Sequence, residues 1–203
     1  SVGMCIVPIL LTIVIVLLAL FVTTIYFPKL EKYVQIICMI PYTIQGVILS
    51  VSILSLYVGT KSVLSNRMVM LMGAYCIVIL PYIYQGIRNG MRAVNMVTLI
   101  EAAEMLGASK IYAFFRVVVP NIISAIIVSS LLAVGIIVGD YVLIRNLAGT
   151  SAPNMQIFLY QTMKSDSTKA SAVFVIIMFV TFVITAIVLF LKSREGKNRV
   201  QKK

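Results

Sequence analysis

The sequence predicts an all-α, polytopic transmembrane bundle, and three observations support that fold class. Of its 203 residues, 61% are hydrophobic and 11% are charged, whereas about 25% of the residues in a typical soluble domain are charged. The mean hydropathy is +1.08. The apolar residues form long uninterrupted blocks, and a helix of about 20 apolar residues spans the hydrocarbon core of a bilayer. Because a chain in lipid has to satisfy its backbone N–H groups internally, each block is predicted to be a helix.

Five apolar blocks are predicted to cross the membrane as one transmembrane domain that covers residues 1–203. The blocks are Met4–Phe27, Val34–Val58, Met68–Ile87, Asn121–Ile144 and Ala170–Leu191. The first block lacks a basic segment before it and is longer than the apolar core of a signal peptide, so we interpret it as a span. All three cysteines lie in apolar blocks, which is typical of buried apolar side chains and not of disulfides or metal ligands.

The basic residues predict the orientation of the bundle. Arg and Lys collect on the cytoplasmic side of membrane proteins, and 12 of the 17 lie in one set of connections. That set consists of Lys29–Lys32, Arg88–Arg116 and the basic tail 192–203, so we expect these segments and the C-terminus to be cytoplasmic. The membrane, including anionic lipid headgroups near the tail, then explains the net charge of +11 better than nucleic acid does. Five spans with a cytoplasmic C-terminus place the N-terminus outside, which would be ordinary if one further span preceded this chain.

Between the third and fourth blocks, about residues 95–118 are predicted to form two short helices joined at a glycine. Asn95 is expected to cap a helix over about Met96–Leu106 with its side chain. Gly107 follows, at the position where a helix commonly ends in a left-handed residue, because glycine has no Cβ to clash. Ser109 is expected to cap the second helix, which runs from Lys110 to about Val118. We call residues 95–118 the elbow.

The first helix of the elbow has two faces. Val97, Glu101 and Glu104 share one face, which we expect to meet the cytosol, with Glu104 as a solvated residue. The other residues lie nearer the membrane bundle; they are Met96, Leu99, Ala103 and Leu106. Periodicity alone leaves open that the elbow is only an amphipathic loop on the membrane surface.

The residue pattern in this part of the chain resembles a family motif. Glu101-Ala102-Ala103 is followed by three residues, Gly107, nine residues and Val117-x-Val119-Pro120. This is similar to the EAA signature of permease subunits of ABC import systems, which reads Glu-Ala-Ala, three residues, Gly, nine residues, Ile-x-Leu-Pro. The only two departures are valines at the apolar positions. Pro120 stands at the entry to the next span.

The resemblance extends over about residues 28–191. The stretch FPKLEKYVQIICMIPYTIQGVILSVSIL resembles the second conserved block of the family, in which a basic turn leads into a helix with Pro and then Gly. LPYIYQGIRNGM and GDYVLIRNLAG resemble the subgroup that imports polyamines, phosphonates, ferric iron and related small ions. Family members usually have six spans with both ends inside, which agrees with the expectation of one further span upstream.

The resemblance implies a permease subunit that forms the substrate pathway of an ATP-driven importer in the bacterial cytoplasmic membrane. The implied coupling residues are Glu101, Ala102, Ala103, Gly107 and Pro120. Glu101 would supply a carboxylate for charge-assisted hydrogen bonds to a partner, and the two alanines would permit close approach. The implied partners are an ATPase dimer that binds ATP and magnesium, a second permease subunit, identical or paralogous, and an extracytoplasmic substrate-binding protein. This chain has no G-x-x-x-x-G-K-S/T phosphate loop, so we expect it to hydrolyse no ATP and to bind no cofactor or metal.

Polar residues in or near the apolar blocks are candidates for the substrate pathway, because polar groups in a membrane often mark transport routes. The candidates are Tyr42, Gln45, Tyr82 and Asp140. The first three lie beside Pro41 or Pro81, where a helix break would free backbone groups, and interhelical hydrogen bonding is the alternative for them. Asp140 lies near the external end of its span, so an interfacial position is the alternative for it. Gly135-x-x-x-Gly139 is predicted to pack helices together, with gating as the alternative.

Two other functions stay open from the residues. An ion-coupled secondary transporter or a channel would make the elbow an incidental loop, although a channel usually has a selectivity filter or several charges in the membrane. A membrane anchor or sensor would bind an ATPase and move no substrate. The external segment Arg145–Lys169 is amphipathic in part and is a candidate surface for a substrate-binding protein, with peripheral packing as the alternative.

Overall fold

The computed structural model describes residues 2–44, 46–57, 66–149, 155–165 and 167–200, and no strand occurs within these ranges. The α-helices are α1 Val2–Ile25, α2 Glu31–Thr43, α3 Gly46–Tyr57, α4 Arg67–Ala93, α5 Met96–Met105, α6 Lys110–Ala113, α7 Val119–Gly139, α8 Met155–Ser165 and α9 Ser167–Val200. A 3₁₀ turn precedes α2 at Pro28–Leu30, and π-helical turns occupy Phe114–Val118 and Ile144–Ala148. The predicted all-α fold is confirmed.

Three helices in the described part are long and apolar enough to cross a membrane, namely Cys5–Ile25, Arg67–Ala93 and Lys110–Gly139. The continuous span predicted over Val34–Val58 is wrong. α2 ends at Thr43, α3 begins at Gly46, and the two helices are bent by 96° relative to each other. If this bent pair makes one span, up to four spans lie in the described residues.

The end of α2 follows from Pro41. A proline has no N–H, so it removes one helical hydrogen bond and its ring crowds the preceding turn. Three residues later Ile44 has extended backbone angles (φ −86°, ψ 115°) and donates its N–H to the carbonyl of Pro41 at 3.2 Å. The break predicted at Pro81 is wrong, because α4 is a 27-residue helix that continues through this buried proline. A membrane helix tolerates a proline where neighbouring helices surround it, and α4 packs against α1, α2 and α7.

α4 is the central helix of the compact unit Ser1–Gly149 and packs against α1, α2 and α7. Six of its ten buried residues recur at every fourth position, so they form one stripe along the helix. The stripe consists of Leu71, Tyr75, Ile79, Ile83, Ile87 and Met91, each at most 4% exposed. The core of this unit therefore lies along α4.

Glycines of α4 bring α7 into close contact. A Cβ at Gly86 would lie 2.5 Å from the Cβ of Ser129, and a Cβ at Gly90 would lie 2.5 Å from the Cβ of Ala125. Small residues four apart let two helices approach closely in a membrane. A Cβ at Gly135 or at Gly139 would meet nothing within 4 Å among the described residues, so these two glycines pack no helices together in this part of the chain.

A second compact unit, Thr150–Lys203, contains α8 and α9, which pack against each other. The stretch Thr168–Val183 of α9 is apolar but shorter than the three spans. The fifth span predicted at Ala170–Leu191 begins in this stretch. The side chains of residues 187–200, and with them most of the basic tail, lie outside the description. The fifth span and the single domain over 1–203 stay predictions.

Candidate functional site

The elbow bends at Gly107, with α5 before the bend. α5 ends in a Schellman motif, in which Gly107 donates its N–H to the carbonyl of Glu104 at 2.9 Å and Ala108 donates to Ala103 at 3.0 Å. Gly107 has φ +84°, a left-handed conformation that strains most other residues. A Cβ there would meet none of the described residues within 4 Å, so the requirement for glycine is conformational and not steric. The conformation predicted for Gly107 is confirmed.

The second arm of the elbow begins as predicted and ends differently. The Oγ of Ser109 accepts a hydrogen bond from the N–H of Tyr112 at 3.3 Å, which caps the helix. The helix does not stop at Val118, because the π turn Phe114–Val118 leads directly into α7 and makes one 30-residue helix, Lys110–Gly139. Pro120, which has no N–H to donate, follows this widened turn in the first turn of α7. The second arm is therefore one end of a membrane span.

Asn95 does not cap α5 as predicted. It has left-handed backbone angles (φ 48°, ψ 61°), and its side chain makes no capping hydrogen bond. A capping residue usually adopts extended angles that direct its side chain at the first turn. Asparagine is one of the few residues that tolerate the left-handed region. Asn95 uses this tolerance to reverse the chain between α4 and α5, with its N–H donated to the carbonyl of Arg92 at 3.1 Å.

The two faces of α5 are as predicted except at its end. Met96 is 3% exposed and Ile100 is 4% exposed, which places this face against the bundle. Val97 lies on the exposed side, at 51%. The burial predicted for Leu106 is wrong. α5 ends at Met105, and the turn that follows leaves Met105 92% exposed and Leu106 90% exposed.

The two carboxylates of the elbow have different surroundings. Glu101 is exposed and, among the residues that the structure describes, makes no hydrogen bond or ion pair. Glu104 is not simply solvated, since its Oε1 lies 3.8 Å from the Nζ of Lys110 across the turn. Ala102 is exposed and Ala103 is half-buried. The carboxylate of Glu101 is therefore accessible beside the exposed pair Met105 and Leu106.

Of the residues predicted for the substrate pathway, the structure brings two together. The rings of Tyr42 on α2 and Tyr82 on α4 have centroids 5.7 Å apart. One turn further along α4, the Nε2 of Gln85 lies 3.3 Å from the Sδ of Met39. Tyr42 is 66% exposed, so this cluster lies on an outer surface of the chain. We call Met39, Tyr42, Tyr82 and Gln85 the tyrosine cluster; Gln45 lies outside the described residues.

Asp140 has a structural position at the end of α7. Its Oδ2 accepts a hydrogen bond from the Oη of Tyr75 at 3.4 Å and another from the N–H of Leu143 at 3.1 Å. These bonds tie the end of α7 to α4 and cap the turn that follows. Tyr75 and Tyr82 are seven residues apart on α4, which is roughly 10 Å along a helix. Asp140 therefore lies well away from the tyrosine cluster.

A comparison with protein families matched residues 17–195 to the binding-protein-dependent transport system inner membrane component family. The chain belongs to this family. The resemblance drawn from the elbow motif is therefore confirmed, and the chain is a multi-pass permease subunit of the ABC importer type, in the inner membrane. A comparison with curated proteins found no match. The import of polyamines, phosphonates or iron stays a prediction, because the match does not specify a subgroup.

One feature of the permease was missed from its sequence. The Oε1 of Glu31 on α2 accepts hydrogen bonds from the Nε and Nη2 of Arg88 at 3.0 and 2.8 Å and from the Nη2 of Arg92 at 3.2 Å. The arginines had indicated only orientation. Both arginines lie four residues apart on α4, which extends beyond the predicted end of its block at Ile87, and this spacing places them on one face of the helix. Sequence alone did not identify Glu31 as their partner.

Proposed function

We propose that the permease moves its substrate with energy from ATP hydrolysed by a separate ATPase dimer, and that the elbow is the contact between them. The observation that carries this proposal is the exposure of Met105 and Leu106, at 92% and 90%, beside the accessible carboxylate of Glu101. Large apolar side chains so exposed on a helical turn suit a surface that a folded partner covers. A carboxylate beside them adds a charge-assisted hydrogen bond to that contact.

The construction of the elbow supports a mechanical role. α5 is anchored by the buried side chains of Met96 and Ile100, and Lys110–Gly139 is one continuous helix. The ion pair between Glu104 and Lys110 joins the two arms across the turn. A partner that displaces the turn would therefore displace α7 with it. On this proposal the permease itself hydrolyses no ATP.

The tyrosine cluster is our candidate for the substrate pathway. It lies on an outer surface of one permease chain, so a second permease subunit facing it would enclose a route between the two. Aromatic faces, an amide and a thioether supply contacts for a cation, which favours a polyamine or another small cation among the predicted substrates. Asp140 is a weaker candidate because its Oδ2 already accepts two hydrogen bonds.

The surrounding assembly follows from the orientation predicted by the basic residues. The elbow and the C-terminus would face the cytosol, where the ATPase dimer is. The substrate-binding protein would dock at the opposite end of the bundle. Transport would then require nucleotide, which distinguishes an importer from an ion-coupled carrier or a channel.

A photo-crosslinking amino acid at Leu106 tests the docking directly. In cells that express the whole transporter, we expect it to capture the ATPase subunit, and we expect capture to change when ATP hydrolysis is blocked. The matched control places the same amino acid at Ile6, which is 53% exposed near the start of α1, at the other end of the bundle. Equal capture at both positions, or none at Leu106 in a transporter that still imports, would refute the proposal.

A further inference from the structure

A cavity of about 340 Å³ with a mixed polar and apolar lining lies between α1, α2, α4 and α5, on the bundle side of the elbow. Sites for small ligands in proteins are usually about 300–1,000 Å³, so this one is large enough for a small ion or a headgroup. Its polar lining comes from four different elements of the chain. The polar residues are Thr24, Glu31, Arg88, Arg92, Asn95 and Thr98. We call it the α5 cavity.

The charged side chains of the α5 cavity sum to one positive charge. Two guanidinium groups, of Arg88 and Arg92, face one carboxylate, of Glu31. Arg88 is mostly buried and gives two of its nitrogens to Glu31. Arg92 is 61% exposed and contacts Glu31 through Nη2, so its planar fork has further donors. An arginine whose guanidinium group still has donors to offer is suited to a phosphate, which it binds through two parallel hydrogen bonds.

The first turn of α5 adds donors of the same kind. Val97 and Thr98 line the cavity, and the side chain of Asn95 makes no capping bond to this ten-residue helix. The first N–H groups of a helix have no partner within the helix, and the helix dipole favours an anion beside them. The hydroxyl of Thr98 lies in the same turn. Backbone, hydroxyl and guanidinium donors thus line one cavity.

The depth of the cavity in the bundle suits a phosphate as well. Thr24 is in the last turn of α1, and Arg92 is in the last turn of α4, both of which are candidate spans. The ends of spans lie at the level of the lipid headgroups, just outside the hydrocarbon core. A phosphate at this level could belong to a phospholipid or to a free solute.

We propose that the α5 cavity binds a phosphate group, with Arg92, Thr98 and the first amides of α5 as its donors. The bound group would join the base of α5 to the end of α4, next to the elbow. This inference does not depend on the proposed docking of an ATPase, because the cavity belongs to a single chain. A lipid headgroup and a free phosphate share the recognised chemistry and differ in the experiment below.

The first measurement is the affinity of the full permease, purified in an uncharged detergent, for inorganic phosphate by calorimetry. Arg92→Gln removes a donor and its charge, and Thr98→Asp places a carboxylate in the cavity. We expect each to weaken binding at least about tenfold, the effect of losing one hydrogen bond to a charged group. The matched control is Lys32→Gln, which removes one exposed positive charge from α2 outside the cavity lining, and it should bind as wild type does.

The second measurement identifies the source of the phosphate. The same proteins are extracted from vesicles of phosphatidylcholine and phosphatidylglycerol in equal parts, and retained lipid is identified by native mass spectrometry. A lipid site is supported if wild type and Lys32→Gln retain phosphatidylglycerol while Arg92→Gln and Thr98→Asp lose it. A site for a free solute is supported if wild type and Lys32→Gln bind inorganic phosphate, the two cavity variants bind it more weakly, and none of the proteins retains lipid.

Two results would overturn the inference. One is a wild-type protein that binds no inorganic phosphate and retains no phosphatidylglycerol. The other is Lys32→Gln weakening both as much as the cavity variants, because this would show attraction to positive charge in general. If Arg92→Gln does not yield folded protein, Thr98→Asp alone tests the phosphate site, since this variant leaves the ion pairs of Glu31 in place.

Discussion

Replacing Gly107 with alanine tests the elbow at a residue whose backbone angles exclude most side chains. At φ +84°, a residue with a Cβ is strained by about 1–2 kcal/mol. Within the part of the chain that the structure describes, a Cβ there would meet nothing within 4 Å, so we expect no steric clash in addition to this strain. The turn therefore either keeps its shape under strain or relaxes to a different angle between the two arms.

The effect of a relaxed turn on ATPase binding can be estimated from this strain. A strain of about 1–2 kcal/mol shifts the ratio of native to relaxed turns by a factor of about 5–30. If the ATPase binds only the native turn, we expect its apparent affinity for Gly107→Ala to fall by up to this factor. Gly107→Asn should fall less, because asparagine tolerates left-handed angles better than alanine does.

The assay is co-purification of the ATPase with the permease, followed by nucleotide-dependent uptake in proteoliposomes. Gly73→Ala is the matched control, since Gly73 lies inside α4 and a Cβ there also meets nothing within 4 Å. We expect this control to bind and to transport as wild type does. Wild-type affinity in Gly107→Ala, or equal losses in Gly107→Ala and Gly73→Ala, would show that the shape of the turn does not control docking.

Three further predictions concern other contacts. Gly86→Ala places a Cβ 2.5 Å from the Cβ of Ser129, so thermal unfolding in detergent should show a destabilisation of about 1–3 kcal/mol. The additional substitution Ser129→Gly should restore part of this stability, and an unchanged unfolding midpoint in Gly86→Ala would contradict the close packing. Glu31→Gln leaves the mostly buried guanidinium of Arg88 without its carboxylate, and the same assay should show a loss of about 1–3 kcal/mol; an unchanged midpoint would show that the ion pair does not stabilise the bundle. Glu101→Lys should abolish co-purification with the ATPase and leave the unfolding midpoint unchanged, because Glu101 makes no ion pair within the described residues; a lowered midpoint would mean that the residue is structural.

Features set by a few neighbouring residues could be predicted from the sequence. The bend at Gly107 and the cap at Ser109 depend on local backbone geometry and short-range hydrogen bonds, and both were predicted correctly. The spans around α1, α4 and α7 follow from apolar length alone. The cap predicted at Asn95 was wrong because this residue lies where the chain reverses between α4 and α5. The local pattern of a capping residue does not show such a reversal.

Features set by tertiary packing could not be predicted. Pro41 lies near the end of α2, whereas Pro81 lies inside a helix that continues through it. The sequence near each proline gives the same signal, and the packing around α4 decides the outcome. Gly86 and Gly90 have the same spacing as Gly135 and Gly139, yet among the described residues only the first pair meets a neighbouring helix. Which face of a helix meets a neighbour is a property of the whole bundle.

The contacts also indicate where the bundle would divide when the elbow is pushed. Lys110–Gly139 is one helix, and α7 lies so close to the glycines of α4 that little sliding is possible between them. α4 and α7 should therefore move together, whereas α2 and α3 are separated from each other by a 96° bend. The ion pairs of Glu31 with Arg88 and Arg92 hold α2 to α4 at the end near the elbow.

If the elbow is displaced as proposed, the relative motion of α2 and α4 should be largest at the ends of the two helices that lie away from those ion pairs. The rings of Tyr42 and Tyr82 meet across that boundary, one from each helix. A displacement of α4 would change the 5.7 Å separation of the two rings, and with it any contact that they make to a bound ion. On the proposed function, a displacement of the elbow would therefore change the spacing of the candidate substrate residues, and docking would be connected to transport through α4.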